Sequence, residues 1–506
     1  MRKLLRLGTI IVLALHVACG GGNSGSNVPP PGEHAPNIVF ILTDDQDLAS
    51  LAQMPKVKAL LADQGVRFSS HYVSLSLCCP SRVTGLRGQF AHNTGIFGNS
   101  APDGGFAGTY SRGLESSTIA TWLHGAGYRT ALFGKYLNGY PDSAPSMTYI
   151  PPGWTEFYSP NGGLPYRNFN YTLNENGSTV SYGETEADYL TDVLSAKAAD
   201  FIHRSVDQYP DQPFFAYIAT YAPHAPAIPA PRHADAFPGV QVPRTGSFNE
   251  ADVSDKPEWI QIRPLLTDTE IADMDDLYRK RLQSLQAVDD LVENVVGALQ
   301  ATGQLANTYV VFASDNGYHQ GLHRLDSGKM TAFEEDLHVP LLVRGPGVAA
   351  NTAVNLMTAN VDYAPTFAEI AGIAAPGFVD GRSLMPLLRG QSPADWREAL
   401  LLEHKNVAGD QSLTTPNSGT LEPDDPFQAN RPPAIAPFSG LRTADGHSYV
   451  EYETGEFELY DNTVDPYQLT NIYTTAPTDL KTRLAGWLGT LKASAGANLR
   501  AAERAP

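Results

Sequence analysis

The chain has 506 residues, 42% of them hydrophobic and 9% aromatic, enough apolar material for one large core with a smaller appendage and too much for a disordered chain. Its 35 basic and 54 acidic residues leave a net charge of −19, which disfavours nucleic acid as a partner, since binding a polyanion normally needs a basic stripe, and says nothing against a small, locally basic anion pocket.

At the N-terminus, Met1-Arg2-Lys3-Leu4-Leu5-Arg6 precedes an apolar stretch over residues 7–18. A basic start and a short apolar core read as an export signal, too short for a permanent membrane helix. Cys19 follows Val17-Ala18 and precedes three glycines, so residues 1–19 look like a bacterial lipoprotein signal with Cys19 as the lipidated first residue of the mature chain. His16 stands where such a site usually has Leu. The Gly/Asn/Ser/Pro-rich run over 20–35 reads as a flexible tether. The expected location is the periplasm or cell surface, with membrane contact only through the lipid. Three cysteines in an exported chain are too few for a disulfide framework.

From residue 37 onward, short apolar runs alternate with helical patterns, as expected of an α/β fold with a large, mainly parallel sheet between helices. The runs at 38–42, 130–133, 214–218 and 309–313 are each followed by polar groups: Thr43-Asp44-Asp45, Gly134-Lys135, Tyr221-Ala222-Pro223-His224 and Ser314-Asp315-Asn316-Gly317. Ligands of open parallel sheets sit beyond the carboxyl ends of the strands, so these four ends predict one rim carrying a site. Residues 277–299 have Leu282, Leu285, Val288, Leu291, Val295 and Leu299 near helical spacing, predicting a long amphipathic helix on the sheet. A Pro-, Asn- and Asp-rich surface loop is expected over 408–437. Short antiparallel strands are expected at 399–403, 439–443, 448–452 and 457–460, with a closing helix over 479–494. The expected division is a catalytic α/β domain over 36–395 and a small α+β subdomain over 396–506.

Asp44/Asp45 and Asp315/Asn316 offer only oxygen ligands, a set suited to a hard cation such as Ca²⁺ or Mg²⁺ and not to zinc. Ca²⁺ accepts an irregular carboxylate and amide mixture more readily than Mg²⁺. Either pair alone is more often a cap or a solvated turn, and it is their combination with the cysteine segment below that favours a site.

Between the first two runs stands Cys78-Cys79-Pro80-Ser81-Arg82, followed by Leu86 and Gly88. A cysteine with Pro two positions on and Arg four positions on resembles the signature by which sulfatases have that cysteine oxidised to formylglycine. Arg87 stands where that pattern usually has Thr. The resemblance continues in order through Gly134-Lys135-Tyr136-Leu137-Asn138, Ala222-Pro223-His224-Ala225-Pro226, Ser314-Asp315-Asn316-Gly317-Tyr318-His319, Gly328-Lys329, Val339-Pro340-Leu341, residues 360–366 and Asp380-Gly381-Arg382-Ser383-Leu384. The wording of Cys-Cys-Pro-Ser-Arg, Gly-Lys-Tyr-Leu-Asn and Thr-Leu-Asn-Glu-Asn-Gly at 172–177 is similar to the N-acetylglucosamine-6-sulfatase branch. Aryl sulfatases have a histidine two residues after the lysine; here that position is Leu137, and the histidine's role is left unassigned.

The resemblance implies roles. Asp44, Asp45, Asp315 and Asn316 would bind the metal, with Cys78, as hydrated formylglycine, completing the shell and acting as nucleophile. Arg82 would hold that nucleophile, Lys135 and Lys329 would contact the sulfate, and His224 would serve the leaving group. His319 and His323 are candidates for either the pocket wall or the surface. A formylglycine-generating enzyme is the implied maturation partner and a sulfated sugar the implied substrate. Two other functions fit the same residues: a phosphate or phosphonate ester hydrolase, and a non-catalytic glycan-binding protein.

Overall fold

The computed structural model describes residues 35–406 and 435–504. The export segment with Cys19, and nearly all of the loop expected over 408–437, lie outside the described residues.

In chain order the strands are β1 (Asn37–Thr43), β2 (Val66–Phe68), β3 (His71–Tyr72), β4 (Arg129–Gly134), β5 (Glu156–Gly163), β6 (Tyr171–Glu175), β7 (Ser178–Tyr182), β8 (Phe214–Ala219), β9 (Thr308–Ser314), β10 (Leu341–Arg344), β11 (Thr352–Val354) and β12 (Thr358–Ala359). Ten of them form one sheet in the order β11-β2-β10-β9-β1-β8-β4-β5-β6-β7; β3 and β12 pair separately. The four apolar runs singled out in the sequence are β1, β4, β8 and β9, and they are consecutive, parallel neighbours at the sheet centre. Antiparallel pairing is confined to the flanks, at β9–β10, β10–β2, β5–β6 and β6–β7.

Central strands covered on both faces need apolar side chains on both. Val39, Ile41, Phe133, Ile218 and Phe312 point into one core, under the helices Leu190–Gln208 and Asp268–Ala301. Phe40, Leu42, Leu132, Tyr217 and Val311 point into the other, under Ile119–Gly125 and Tyr363–Ile370. The helix read from residue 277 begins nine residues earlier because Thr267 caps it, accepting from the Glu270 backbone while the Glu270 carboxylate accepts from the backbone of Thr267. Its first turns are polar and mostly exposed, so no apolar period marked them.

The last part of the chain forms a second, antiparallel sheet of β13 (Ala399–His404), β14 (Phe438–Thr443), β15 (His447–Tyr452) and β16 (Phe457–Asp461), covered by the helices Thr478–Lys492 and Gly496–Ala502. Its apolar face shares one cluster with Val73, Leu75, Leu77 and Phe90, which flank the Cys78 segment.

Register decides what meets at the rim. Thr43 lies opposite Ser314, and Ala219 lies opposite both Leu42 and Gly134. Asp44 and Asp315 therefore leave the sheet at one level, and Lys135 one residue before it.

Candidate active site

Cys78 is the first residue of the helix Cys78–Arg87, after an extended Leu77, and Arg82 follows one turn later on the same face. Both are buried. The helix N-terminus puts backbone N–H groups and the positive end of the helix dipole where an anion would sit. Asp45 has a φ of +66°, an unusual backbone for a residue with a side chain. Its N–H donates to Asp315 Oδ1 at 3.0 Å and its carbonyl accepts from Arg281, which ties the turn down.

Around Cys78 Sγ lie Lys329 Nζ at 3.0 Å, Asp44 Oδ1 at 3.3 Å and Asp45 Oδ1 at 3.8 Å. Lys135 Nζ donates to Asp44 Oδ2 at 2.7 Å, and Lys329 Nζ to Asp45 Oδ1 at 2.5 Å. Arg82 donates through Nε to Asp315 Oδ2 at 2.9 Å and through Nη1 to the Lys135 carbonyl at 3.1 Å. Asn316 Nδ2 donates to Asp45 Oδ1 at 2.7 Å. His224 places Nε2 3.5 Å from Asp45 Oδ2, with Nδ1 2.8 Å from the Ala225 carbonyl, which accepts when that nitrogen carries the proton. The nine residues to which the resemblance gives a role thus stand in one buried constellation.

Burial alone would raise the Asp44 carboxyl, but Lys135, His224, Arg82 and Lys329 outweigh it and hold the group far below the ordinary carboxylate range. Asp45 is lowered likewise: burial opposes, Lys329 and His224 prevail. Asp315 is pushed up to about 6, because Arg82 does not offset its burial and Asp44 adds repulsion. Burial would lower Lys135 and Lys329, yet Asp44 and Asp45 respectively push them up, so both stay charged. Burial brings His224 down to about 4, against the pull of Asp45 and Asp44. Burial, then Asp44, push the Cys78 thiol well up, which makes an unmodified Cys78 a poor nucleophile.

Three carboxylates face three permanent cations, so the cluster is close to neutral and has no surplus positive charge to offer an anion. Two of its buried oxygens, Asp45 Oδ2 and Asn316 Oδ1, have no hydrogen-bond partner. Ligand atoms of Asp44, Asp45, Cys78 and His224 lie within 4.8 Å of one another. The two unpartnered atoms are oxygens and sit beside further carboxylate oxygens, so the donors fit a hard divalent cation.

Other nominated residues go elsewhere. His319 pairs through Nδ1 with Asp336 at 2.9 Å, and His323 pairs with Glu250 under the Phe333 ring; both are buried. Leu137 is core, in the cluster with Tyr136 and Tyr140. Cys79 is buried, and neither it nor Cys78 is in a disulfide. Two contributors went unnoticed. Arg281 occupies a core-facing position between Tyr278 and Leu285 of the long helix and donates to the carbonyls of Asp45 and Pro223, joining two strand-end loops. An arginine in an apolar stripe was the available signal. Tyr166, in the 3-10 turn Pro165–Arg167, packs 4.6 Å from the His224 ring and lies 5.1 Å from Lys135 Nζ. Nothing in its neighbourhood marked it.

A family model described as Sulfatase matches residues 36–373. The chain is 36% identical over 502 residues to the N-acetylglucosamine-6-sulfatase of Homo sapiens, an alignment covering 95% of this chain and 88% of that protein. An extracellular sulfatase homolog of Drosophila melanogaster is 39% identical over 379 residues, covering 73% of this chain and 33% of that one. A solved structure in complex with its substrate, D-glucosamine-2-N,6-O-disulfate, matches with a TM-score of 0.73 at 23% identity, over 90% of this chain and 97% of that one.

Proposed function

Because the chain belongs to the sulfatase family and is a sulfuric ester hydrolase, we propose that its substrate is a sulfated sugar, N-acetylglucosamine 6-sulfate free or in a glycosaminoglycan, and that Cys78 acts as formylglycine. The observation that carries the sugar reading is the 36% identity along nearly the whole chain to N-acetylglucosamine-6-sulfatase. The observation that supports the formylglycine reading is Cys78 with Pro80 and Arg82 behind it, buried at the centre of the constellation.

Sulfate esters react slowly because an alkoxide is a poor leaving group and the sulfur is shielded by oxygens. Sγ of Cys78 stands for one oxygen of the hydrated aldehyde. His224, neutral at rest, takes the proton of that hydroxyl at Nε2 as its oxygen attacks sulfur, and gives it to the sugar oxygen as the bond from sulfur to that oxygen breaks. The second hydroxyl then gives up its proton to solvent and forms the carbonyl as the bond from carbon to the sulfated oxygen breaks; sulfate departs and water rehydrates the aldehyde. Serine could form the ester but could not release it this way. Lys135 and Lys329 act as point charges on the sulfate oxygens, and Arg82 orients Asp315 and the start of the helix. Asp44, Asp45, Asp315 and Asn316 would hold Ca²⁺, or Mg²⁺ as the other hard candidate; when bound, the ion lowers the pKa of the nucleophilic hydroxyl and neutralises sulfate charge.

No helix among the described residues is long and apolar enough to cross a membrane. Residues 1–19 support export with lipid attachment at Cys19.

The test is co-expression with a formylglycine-generating enzyme, mass spectrometry of the peptide containing residue 78, and turnover of N-acetylglucosamine 6-sulfate, an aryl sulfate and a phosphonate monoester. The aldehyde mass together with preferential desulfation of the sugar is expected. Faster turnover of the phosphonate overturns the substrate reading. Sugar binding without turnover, with the aldehyde confirmed, makes the protein a glycan-binding one.

A further inference from the structure

His224 has a partner at each ring nitrogen. Nδ1 contacts the carbonyl of the adjacent Ala225 at 2.8 Å, and Nε2 faces Asp45 Oδ2 across 3.5 Å. Two contacts in the plane of the ring leave its tilt about the line between them to packing. Leu137, where aryl sulfatases carry a second histidine, is buried in the core and supplies no proton.

What fills the space beside the ring comes from another part of the chain. The 3-10 turn Pro165–Arg167 joins β5 to β6, on the flank of the sheet beyond β4. It inserts Tyr166 between two members of the His224 loop. The Tyr166 ring lies 4.6 Å from the His224 ring at 55° and meets Tyr221 edge-on at 4.8 Å and 90°. Tyr166 is 3% exposed. Its turn is anchored: Leu190 donates to the Asn168 carbonyl at 2.9 Å, and Asn168 takes a left-handed backbone with φ +60°. A rigid ring set between a loop tyrosine and a loop histidine limits the rotation of the latter.

We propose that Tyr166 is a positioning residue that sets the His224 imidazole for proton delivery to the leaving oxygen. The proposal rests on the reading of His224 as leaving-group acid. It separates two kinds of substrate. A sugar alkoxide needs the proton, whereas 4-nitrophenolate departs nearly unaided, so a displaced His224 harms only the first.

The experiment compares kcat and KM of the converted full-length enzyme on N-acetylglucosamine 6-sulfate and on 4-nitrophenyl sulfate, for Tyr166→Ala, Tyr166→Phe, His224→Ala and the double alanine variant. Tyr166→Ala is expected to lower kcat on the sugar roughly 30-fold and on the aryl ester less than about 3-fold, a part of the 10²–10⁴ that a positioned acid supplies. Tyr166→Phe, which keeps the ring, recovers most of that loss. On the His224→Ala background the Tyr166→Ala change costs little more, as expected of residues acting as one unit. Equal losses on both substrates, or a loss confined to KM, overturn the proposal; these outcomes mean that the ring instead supports Lys135, 5.1 Å away. If His224→Ala itself does not distinguish the substrates, the acid reading fails and the proposal with it. If the alanine variant does not fold, Tyr166→Leu carries the same comparison.

Discussion

Among the described residues, two of the buried charge clusters invite comparison: one satisfies every side-chain atom with a hydrogen bond and the other does not. Asp362, Arg397 and Glu503 are almost wholly inaccessible. Arg397 binds Asp362 through both terminal nitrogens at 2.7 and 2.8 Å and Glu503 through Nε at 2.7 Å. Both Asp362 oxygens also accept a backbone N–H, from Ala359 and Arg382, and Arg382 Nε meets the second Glu503 oxygen at 3.0 Å. No side-chain atom of these three residues is without a partner. The Cys78 cluster is equally buried and equally dense in charge, yet Asp45 Oδ2, Asn316 Oδ1 and Arg82 Nη2 make no hydrogen bond. A closed network joins segments of the chain; an open one keeps acceptors for a cation and donors for an anion. Between these two clusters, burial and charge density do not separate the site from the staple, whereas the unsatisfied atoms do.

The largest expected effect tests the division outright. Cys78→Ser should abolish multiple turnover, a loss above about 10³-fold, while stability to urea stays within about 1 kcal/mol of the parent; Cys79→Ser should be mild. Equal losses from both variants would mean that the wrong cysteine has been assigned. Arg397→Met should do the reverse, costing about 3–5 kcal/mol in urea unfolding by stranding two carboxylates, with kcat per folded molecule unchanged. A catalytic defect in that variant at low temperature would join the two clusters after all.

Chelation sharpens the comparison. EDTA should remove activity and lower Tm, and Ca²⁺ at about 100 times its Kd should restore about 2.7 kcal/mol. Asn316→Ala should lose most of that Ca²⁺-dependent increment, whereas Asp362→Asn should keep all of it. Calorimetric titration with Ca²⁺ distinguishes the outcomes.

The smallest effect concerns a buried carboxyl that belongs to neither cluster. Glu115 has no cation partner among the described residues and is held by the Tyr136 hydroxyl at 2.8 Å and the Tyr149 hydroxyl at 3.3 Å. Burial, which those hydroxyls only partly counter, pushes its pKa up to about 7. The folded state therefore keeps a proton that the unfolded chain gives up from about 4.5. Glu115 contributes most below that pH, and the contribution is lost as the pH rises through about 7. Glu115→Gln should flatten this part of the stability curve by roughly 2–3 kcal/mol between pH 5 and pH 8. A parent protein equally stable at both values would contradict it.

Much of the fold was legible because the central strands are covered on both faces and read as unbroken apolar runs, each ending where polar chemistry begins. The flanks were less legible. β7 is mostly exposed, and β2, β11 and the pair β3 and β12 are two or three residues long, so neither alternation nor length marked them. The first turns of the long helix carried no apolar period. The motif segments at 360–366 and 380–384 carried the same resemblance as the others, but Asp362 and Arg382 belong to the closed network.

The sequence by itself determined the chemistry on offer: a cysteine in a segment that resembles an oxidation signature, acids and an amide after two strands, a lysine and a histidine after two others. Those signals are local, carried by a few adjacent residues. Only the tertiary structure decided which groups meet. Asp45 and Asp315 are 270 positions apart and share a hydrogen bond, and Cys78 and Lys329, 251 apart, stand 3.0 Å from one another. The partners that complete the site, Arg281 and Tyr166, come from a helix and a turn with no motif. Their place is set by the register of four parallel strands and by the close packing of a buried rim, and neither can be read from neighbours in the chain.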